Sequence, residues 1–209
     1  MIRTVLVTGG ARSGKSSWAE ELAALWSREE GSPVVYVATA MAGDREMSSR
    51  IERHRASRPP HWKTVESVPP LLSALREIEG LQSGGKPVVL VDCVTLYVSH
   101  LMLQLLGDGV EEDLTPERGR FVEERVLADL DEWSQFLWRC NGRVILVSNE
   151  VGWGLVPPYP LGRLYRDVMG LVNRRLAQQV DEVVCLVAGL PLYLKGGERS
   201  QRVPIQCSP

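Results

Sequence analysis

Residues 9–16 read Gly9-Gly10-Ala11-Arg12-Ser13-Gly14-Lys15-Ser16. The spacing is G-x-x-x-x-G-K-[ST], a loop whose backbone N–H groups cradle a polyphosphate. A helix opening at Gly14 adds its positive end to that cradle. Lys15 reaches the β- and γ-phosphates, and Ser16 offers a hydroxyl to Mg²⁺. A carboxylate must complete that metal shell, and Asp92 closes the apolar run Val88-Val89-Leu90-Val91 where such a group belongs. An Asp at a strand end also caps a following helix, and the two roles are compatible. Asn149 and Glu150 end another apolar run, at a strand terminus suited to orienting substrate or water. Asn149 suits a helix or turn cap equally well.

A second cluster lies in residues 50–66, which hold two of the three histidines and four arginines. The part before Pro59 reads as a helix starting near Asp44. Arg50, His54 and either Ser57 or Arg58 then share one face. Arginine forks match phosphate oxygens, and cationic neighbours favour the neutral, nucleophilic imidazole. A solvated basic helix face is the plainer account of the same charges. His61 falls beyond the helix end, and His100 sits in the helix after Asp92 among Leu96 and Leu103, as a structural histidine would.

These residues need a scaffold. Residues 4–8, 34–38, 88–92, 144–148 and 182–188 are continuous apolar runs, the mark of parallel strands covered on both faces. Amphipathic helices are expected over 120–140 and 161–180. The helix after the phosphate loop should turn Trp18, Leu22 and Leu25 inward. Alternating strands and helices imply an α/β layered fold, a mostly parallel central sheet flanked by helices, in a single domain over 1–209. Residues 107–118 read as an exposed acidic loop and 152–162 as a Pro/Gly loop too irregular for a helix. Residues 190–195 read as a hairpin partner of the preceding strand, and 196–209 as a mobile tail.

Bulk properties narrow the class. The 209 residues carry 24 basic and 26 acidic side chains, net −2, which argues against a nucleic-acid scaffold. Cys93, Cys140, Cys185 and Cys207 have no paired spacing, so zinc is not expected and a reducing, cytoplasmic setting fits. No apolar stretch approaches the roughly 20 residues that span a bilayer, so no membrane insertion is expected. The first apolar run is too short for a secretory leader.

Taken together, Gly-Gly-Ala-Arg-Ser-Gly-Lys-Ser, Val37-Ala38-Thr39-Ala40 and Arg50-Ile51-x-x-His54-Arg55-x-x-Arg58-Pro59-x-x-Trp62-x-Thr64-x-Glu66 resemble one family. It is the bifunctional adenosylcobinamide kinase / adenosylcobinamide-phosphate guanylyltransferase of cobalamin assembly. The resemblance continues through Val91-Asp92-Cys93-Val94-Thr95, Ser148-Asn149-Glu150-Val151-Gly152 and Asp167…Gly170…Asn173. It implies a RecA-like sheet, a homotrimer, and two reactions. A nucleoside triphosphate, ATP or GTP, phosphorylates the aminopropanol hydroxyl of adenosylcobinamide. GMP then passes from GTP, through a covalent histidine–GMP, to adenosylcobinamide phosphate. By position His54 matches the guanylylated histidine. Ala40, Met41, Ala42, Ser57, Arg58, Pro59, Pro60 and Glu66 match stretches near the guanosine nucleotide, and Asp92 stands where relatives can carry Glu. A P-loop small-molecule kinase without guanylyl transfer would need Lys15, Ser16 and Asp92 but not His54. A nucleotide-driven switch would need none of the histidines, and the chain has no Asn-Lys-x-Asp motif of GTPase switches.

Overall fold

The computed structural model describes residues 3–40, 52, 55, 58–66, 69, 71, 78, 86–107 and 114–196. The helix expected from Asp44 to Pro59 lies largely outside the described residues, although Glu52 and Arg55 within it are helical. The tail from 197 onward also lies outside them.

Runs of β-branched residues form the inner strands, because stiff branched side chains pack well on a pleated surface. These are β1 (Thr4–Gly9), β2 (Val34–Ala38), β4 (Val88–Asp92), β5 (Arg143–Val147) and β6 (Glu182–Val187), with β3 (Lys63–Glu66) and β7 (Leu190–Lys195) at the edges. The sheet order is β3-β2-β4-β5-β1-β6-β7. All pairings are parallel except β6 with β7. The β5 strand therefore stands between the phosphate-loop strand and the strand ending in Asp92.

Side chains alternate between two cores. Val5, Val7, Tyr36, Val88, Leu90 and Ile145 pack against α1 (Lys15–Glu30) on one face. Leu6, Val35, Val37, Val89, Val91 and Leu146 pack against α2 (Val94–Leu106), α3 (Pro116–Arg139) and α4 (Pro160–Gln179) on the other. Each fully buried Val or Leu contributes roughly 1.5–3 kcal/mol.

The structure departs from the sequence reading at four places. Residues 63–66 form an edge strand that was not expected. Of the loop expected over 107–118, residues 108–113 lie outside the described residues, and its last part is helix: the Thr115 side chain accepts the Arg118 N–H as an N-cap, Pro116 takes the first turn, and α3 begins there. The irregular stretch 152–162 holds the end of one 3₁₀ turn, Val151–Trp153, and then the start of α4 at Pro160. On α1 the buried stripe runs through Trp18, Ala19, Leu22, Ala23 and Trp26, with Leu25 at its margin. The alanines let the helix sit close to the sheet, which turns Trp26 inward instead.

Residues 190–195 do pair with β6. The connecting turn has positive φ at both Ala188 and Gly189 (51° and 81°), the backbone twist that closes a two-residue hairpin.

Candidate active site

The phosphate loop follows β1 and ends at α1. Gly14, the residue before the helix, has φ 90°, in the left-handed region open to glycine. Among the described residues no side chain caps the helix N-terminus, so its first N–H groups are available to an anion. Gly9 has φ 139°, and a Cβ there would lie 2.4 Å from the Leu186 carbonyl oxygen. Only glycine lets β1 run this close to β6. The β6–β7 turn supports the loop directly, since Gly189 N–H donates to the Ser13 carbonyl at 3.2 Å. Ala11 and Arg12 are exposed at the loop's outer edge, with Arg12 at φ 56°.

Lys15 is 7% exposed. Its ammonium folds back to donate to the Gly10 carbonyl and, at 3.4 Å, to Ser13 Oγ. Burial lowers its pKa, and the neighbouring Cys93 and Asp92 pull it partly back. A desolvated ammonium whose hydrogen bonds, among the described residues, go to neutral oxygens is poised for phosphate.

Asp92 ends β4 facing the first two turns of α1. Its Oδ2 accepts from Tyr36 Oη at 2.6 Å, and among the described residues no hydrogen bond engages Oδ1. Thr39 pins the backbone here, with its N–H donating to the Asp92 carbonyl at 3.2 Å and its hydroxyl bridging Cys93 N and O. Ser16 Oγ and Asp92 Oδ1 are hard oxygen donors of the kind Mg²⁺ takes, so this set fits that ion.

One neighbour was not singled out from sequence. Glu20, one turn beyond Ser16, has Oε1 buried with no hydrogen-bond partner among the described residues. Burial and the Asp92 charge raise its pKa to about 7, partly offset by Arg58. Arg58 stacks 3.5 Å over the Tyr36 ring. It thus joins the candidate nucleotide residues to the Asp92 side of the sheet. The i, i+4 spacing from Ser16 was the available signal for Glu20.

The end of β5 is a third cluster. Thr8 Oγ1 donates to Glu150 Oε1 at 2.8 Å, and Asn173 Nδ2 donates to the same oxygen at 3.2 Å. Asn173 Nδ2 also donates to the Asn149 carbonyl at 2.9 Å, while its Oδ1 accepts from Ser148 Oγ at 2.6 Å. Glu150 N–H donates to the Gly9 carbonyl, and Asn149 N–H to Thr95 Oγ1. Thr8 and Asn173 are partners that no local motif announces.

The remaining expected residues are scattered. Ala40 follows β2, and Pro59 and Pro60 form the turn before Trp62. Glu66 ends β3 with its side chain 71% exposed, 3.7 Å from Arg55. His61 is exposed. His100 is half-buried on α2 with its pKa lowered by burial, as a structural histidine would be. His54, Met41, Ala42 and Ser57 lie outside the described residues.

The family model "Cobinamide kinase / cobinamide phosphate guanyltransferase" matches residues 5–194. The bifunctional adenosylcobalamin biosynthesis protein CobU of Escherichia coli (strain K12) is 39% identical over 191 residues, covering 91% of this chain and 99% of that one. CobP of Pseudomonas aeruginosa, also called a bifunctional adenosylcobalamin biosynthesis protein, is 44% identical over 191 residues, covering 91% and 96%. CobU of Salmonella typhimurium is 38% identical over 199 residues, covering 91% and 99%. Among solved structures, the KaiC-like protein PH0186 of Pyrococcus horikoshii OT3 superposes with TM-score 0.50 at 17% identity, over 94% of this chain and 80% of that one. That likeness is one of fold, the RecA-type P-loop sheet.

Proposed function

Because the chain belongs to the cobinamide kinase / cobinamide phosphate guanyltransferase family, we propose that it carries out both reactions within one domain. The first transfers a γ-phosphoryl group from ATP or GTP to the aminopropanol hydroxyl of adenosylcobinamide. The second transfers GMP from GTP to the product, giving adenosylcobinamide-GDP. The observation that carries this reading is the family match spanning residues 5–194, joined to a glycine-shaped phosphate loop with a buried lysine.

In the kinase step the loop N–H groups and Lys15 bind the β- and γ-phosphates and stabilise charge as it spreads over the transferring oxygens. Ser16 and Asp92 are the residues that hold Mg²⁺, which when bound neutralises charge on the phosphate oxygens. Tyr36 fixes the Asp92 carboxylate for that task. In the second step a ring nitrogen of His54 forms a bond to the α-phosphorus of GTP, and pyrophosphate leaves. A phosphate oxygen of adenosylcobinamide phosphate then attacks that phosphorus, the P–N bond breaks, and the imidazole is freed. Arg58, with Ala40, Met41, Ala42, Ser57, Pro59, Pro60 and Glu66, lines the guanosine side.

The protein works in the cytoplasm as a homotrimer. Support for assembly is an apolar edge on β7 and its turn, where Val187, Leu190, Leu192 and Leu194 are all exposed.

The test is covalent labelling. Protein incubated with α-labelled GTP and Mg²⁺, without corrinoid, retains label after denaturation. The bond survives alkali and is cleaved by acid. His54→Ala abolishes the label and His61→Ala keeps it. Loss only in His61→Ala moves the nucleophile. No label in a folded, GTP-binding protein leaves a P-loop kinase without guanylyl transfer.

A further inference from the structure

The β5 terminus holds a carboxylate that the chemistry above does not use. Both hydrogen bonds to the Glu150 side chain arrive at Oε1, from Thr8 and Asn173. Among the described residues nothing engages Oε2. The Glu150 backbone is fastened to Gly9, the first residue of the phosphate loop. Buried Cys185 feels both the Glu150 charge and that of Lys15, so carboxylate and ammonium flank the same side chain. The sheet order puts this terminus between the loop and Asp92. The Asn173 amide cannot be turned over without setting its oxygen against the Asn149 carbonyl and the Glu150 carboxylate, so its orientation is fixed. A carboxylate locked by one oxygen, with the other free beside a phosphate site, is the arrangement of a positioned base.

The segment that follows suits an acceptor. Trp153, Leu155 and Val156 are 66%, 96% and 63% exposed. They sit on a loop tied to α4: Arg166 donates to the Gly152 carbonyl, and Arg163 to the Pro157 and Pro158 carbonyls. Gly162 lets the loop lie flat on the helix, since a Cβ there would come within 2.5 Å of the Tyr159 ring. The apolar side chains are therefore held out on an anchored platform that begins three residues beyond Glu150.

We propose that Glu150 is the general base of the phosphoryl-transfer step, acting through Oε2 on an acceptor alcohol seated against the Trp153–Val156 platform. This role rests on the kinase reading above. The alcohol oxygen forms a bond to the γ-phosphorus, and the bond from that phosphorus to the β,γ-bridging oxygen breaks. The alcohol proton passes to Glu150 Oε2 and then to solvent, and the nucleoside diphosphate departs. Covalent GMP capture on a neutral imidazole involves no alcohol proton, so it does not call on this base.

Two half-reactions are measured on the same full-length protein with Mg²⁺: phosphorylation of adenosylcobinamide by ATP, and covalent labelling by α-labelled GTP. Glu150→Gln keeps the shape and the Thr8 bond. It lowers kcat for phosphorylation about 100-fold or more beyond any loss in labelling, with KM for ATP changed little. Glu150→Asp, which keeps the charge one carbon short, recovers part of that loss. Trp153→Ala raises KM for the corrinoid and not for ATP. Phosphorylation by Glu150→Gln within about five-fold of the unmodified rate overturns the role. Equal loss of both half-reactions with a lowered melting temperature makes Glu150 structural and also overturns it. If the unmodified protein labels with GTP but phosphorylates no cobinamide, the kinase reading falls and this role with it.

Discussion

Glu20 shows how one residue near the site sets a pH dependence. Burial, reinforced by Asp92, lifts its carboxyl from 4.5 to about 7, with Arg58 offsetting part of the rise. Between those values the folded protein holds a proton that the unfolded chain has released. Stability therefore falls as pH rises through that window and stays low above it. Glu20→Gln removes the cost of the buried charge. The variant should be more stable than the parent at pH 8, by about 1 kcal/mol after allowing for partial solvent exposure. The difference should shrink toward zero near pH 4. Urea unfolding at the two pH values measures it, and a pH-independent difference would show that Glu20 contributes through packing alone.

At the scale of elements, the phosphate loop depends on how closely β1 and β6 approach. Gly9→Ala forces a methyl group into the Leu186 carbonyl at a positive φ. We expect a loss of at least about 2 kcal/mol, together with weakened nucleotide binding, read by thermal unfolding with and without GTP. The inner strands and this loop were legible in the sequence because long apolar runs and a glycine-lysine pattern are local signals. Residues 63–66 were not, since Val65 is the one buried side chain of that strand and a single apolar position has no period. The start of α3 was readable from Thr115-Pro116-Glu117, but the acidic, turn-rich neighbourhood outweighed that cap signature. The site was legible only where a motif spells it. Thr8 and Glu150 lie 142 positions apart, and Tyr36 and Asp92 lie 56 apart. Only the sheet order brings such pairs together.

Across the whole molecule, stability is divided unequally between the two faces of the sheet. The face beneath α2, α3 and α4 holds the larger core, with Trp133 fully buried within it. That indole meets Tyr97 edge-on at 6.2 Å, and the Tyr97 hydroxyl donates to Asp129 at 2.7 Å while accepting the Leu71 N–H. Trp133→Ala should cost about 3–5 kcal/mol in chemical denaturation. A smaller loss would mean that neighbouring helices collapse into the space. The strand order also has a bearing on how the protein is made. The phosphate-loop strand is synthesised first, yet its only sheet neighbours are β5 and β6, and the turn bracing its loop comes at Gly189. At about 5–20 residues per second, a ribosome needs on the order of ten seconds or more to supply those partners. Until β5 is made the apolar β1 sequence has no native strand to pair with, and until β6 is made it has only one. A nascent chain halted before β6 should remain blind to nucleotide, so the capacity to bind GTP is gained only after Gly189 has been added.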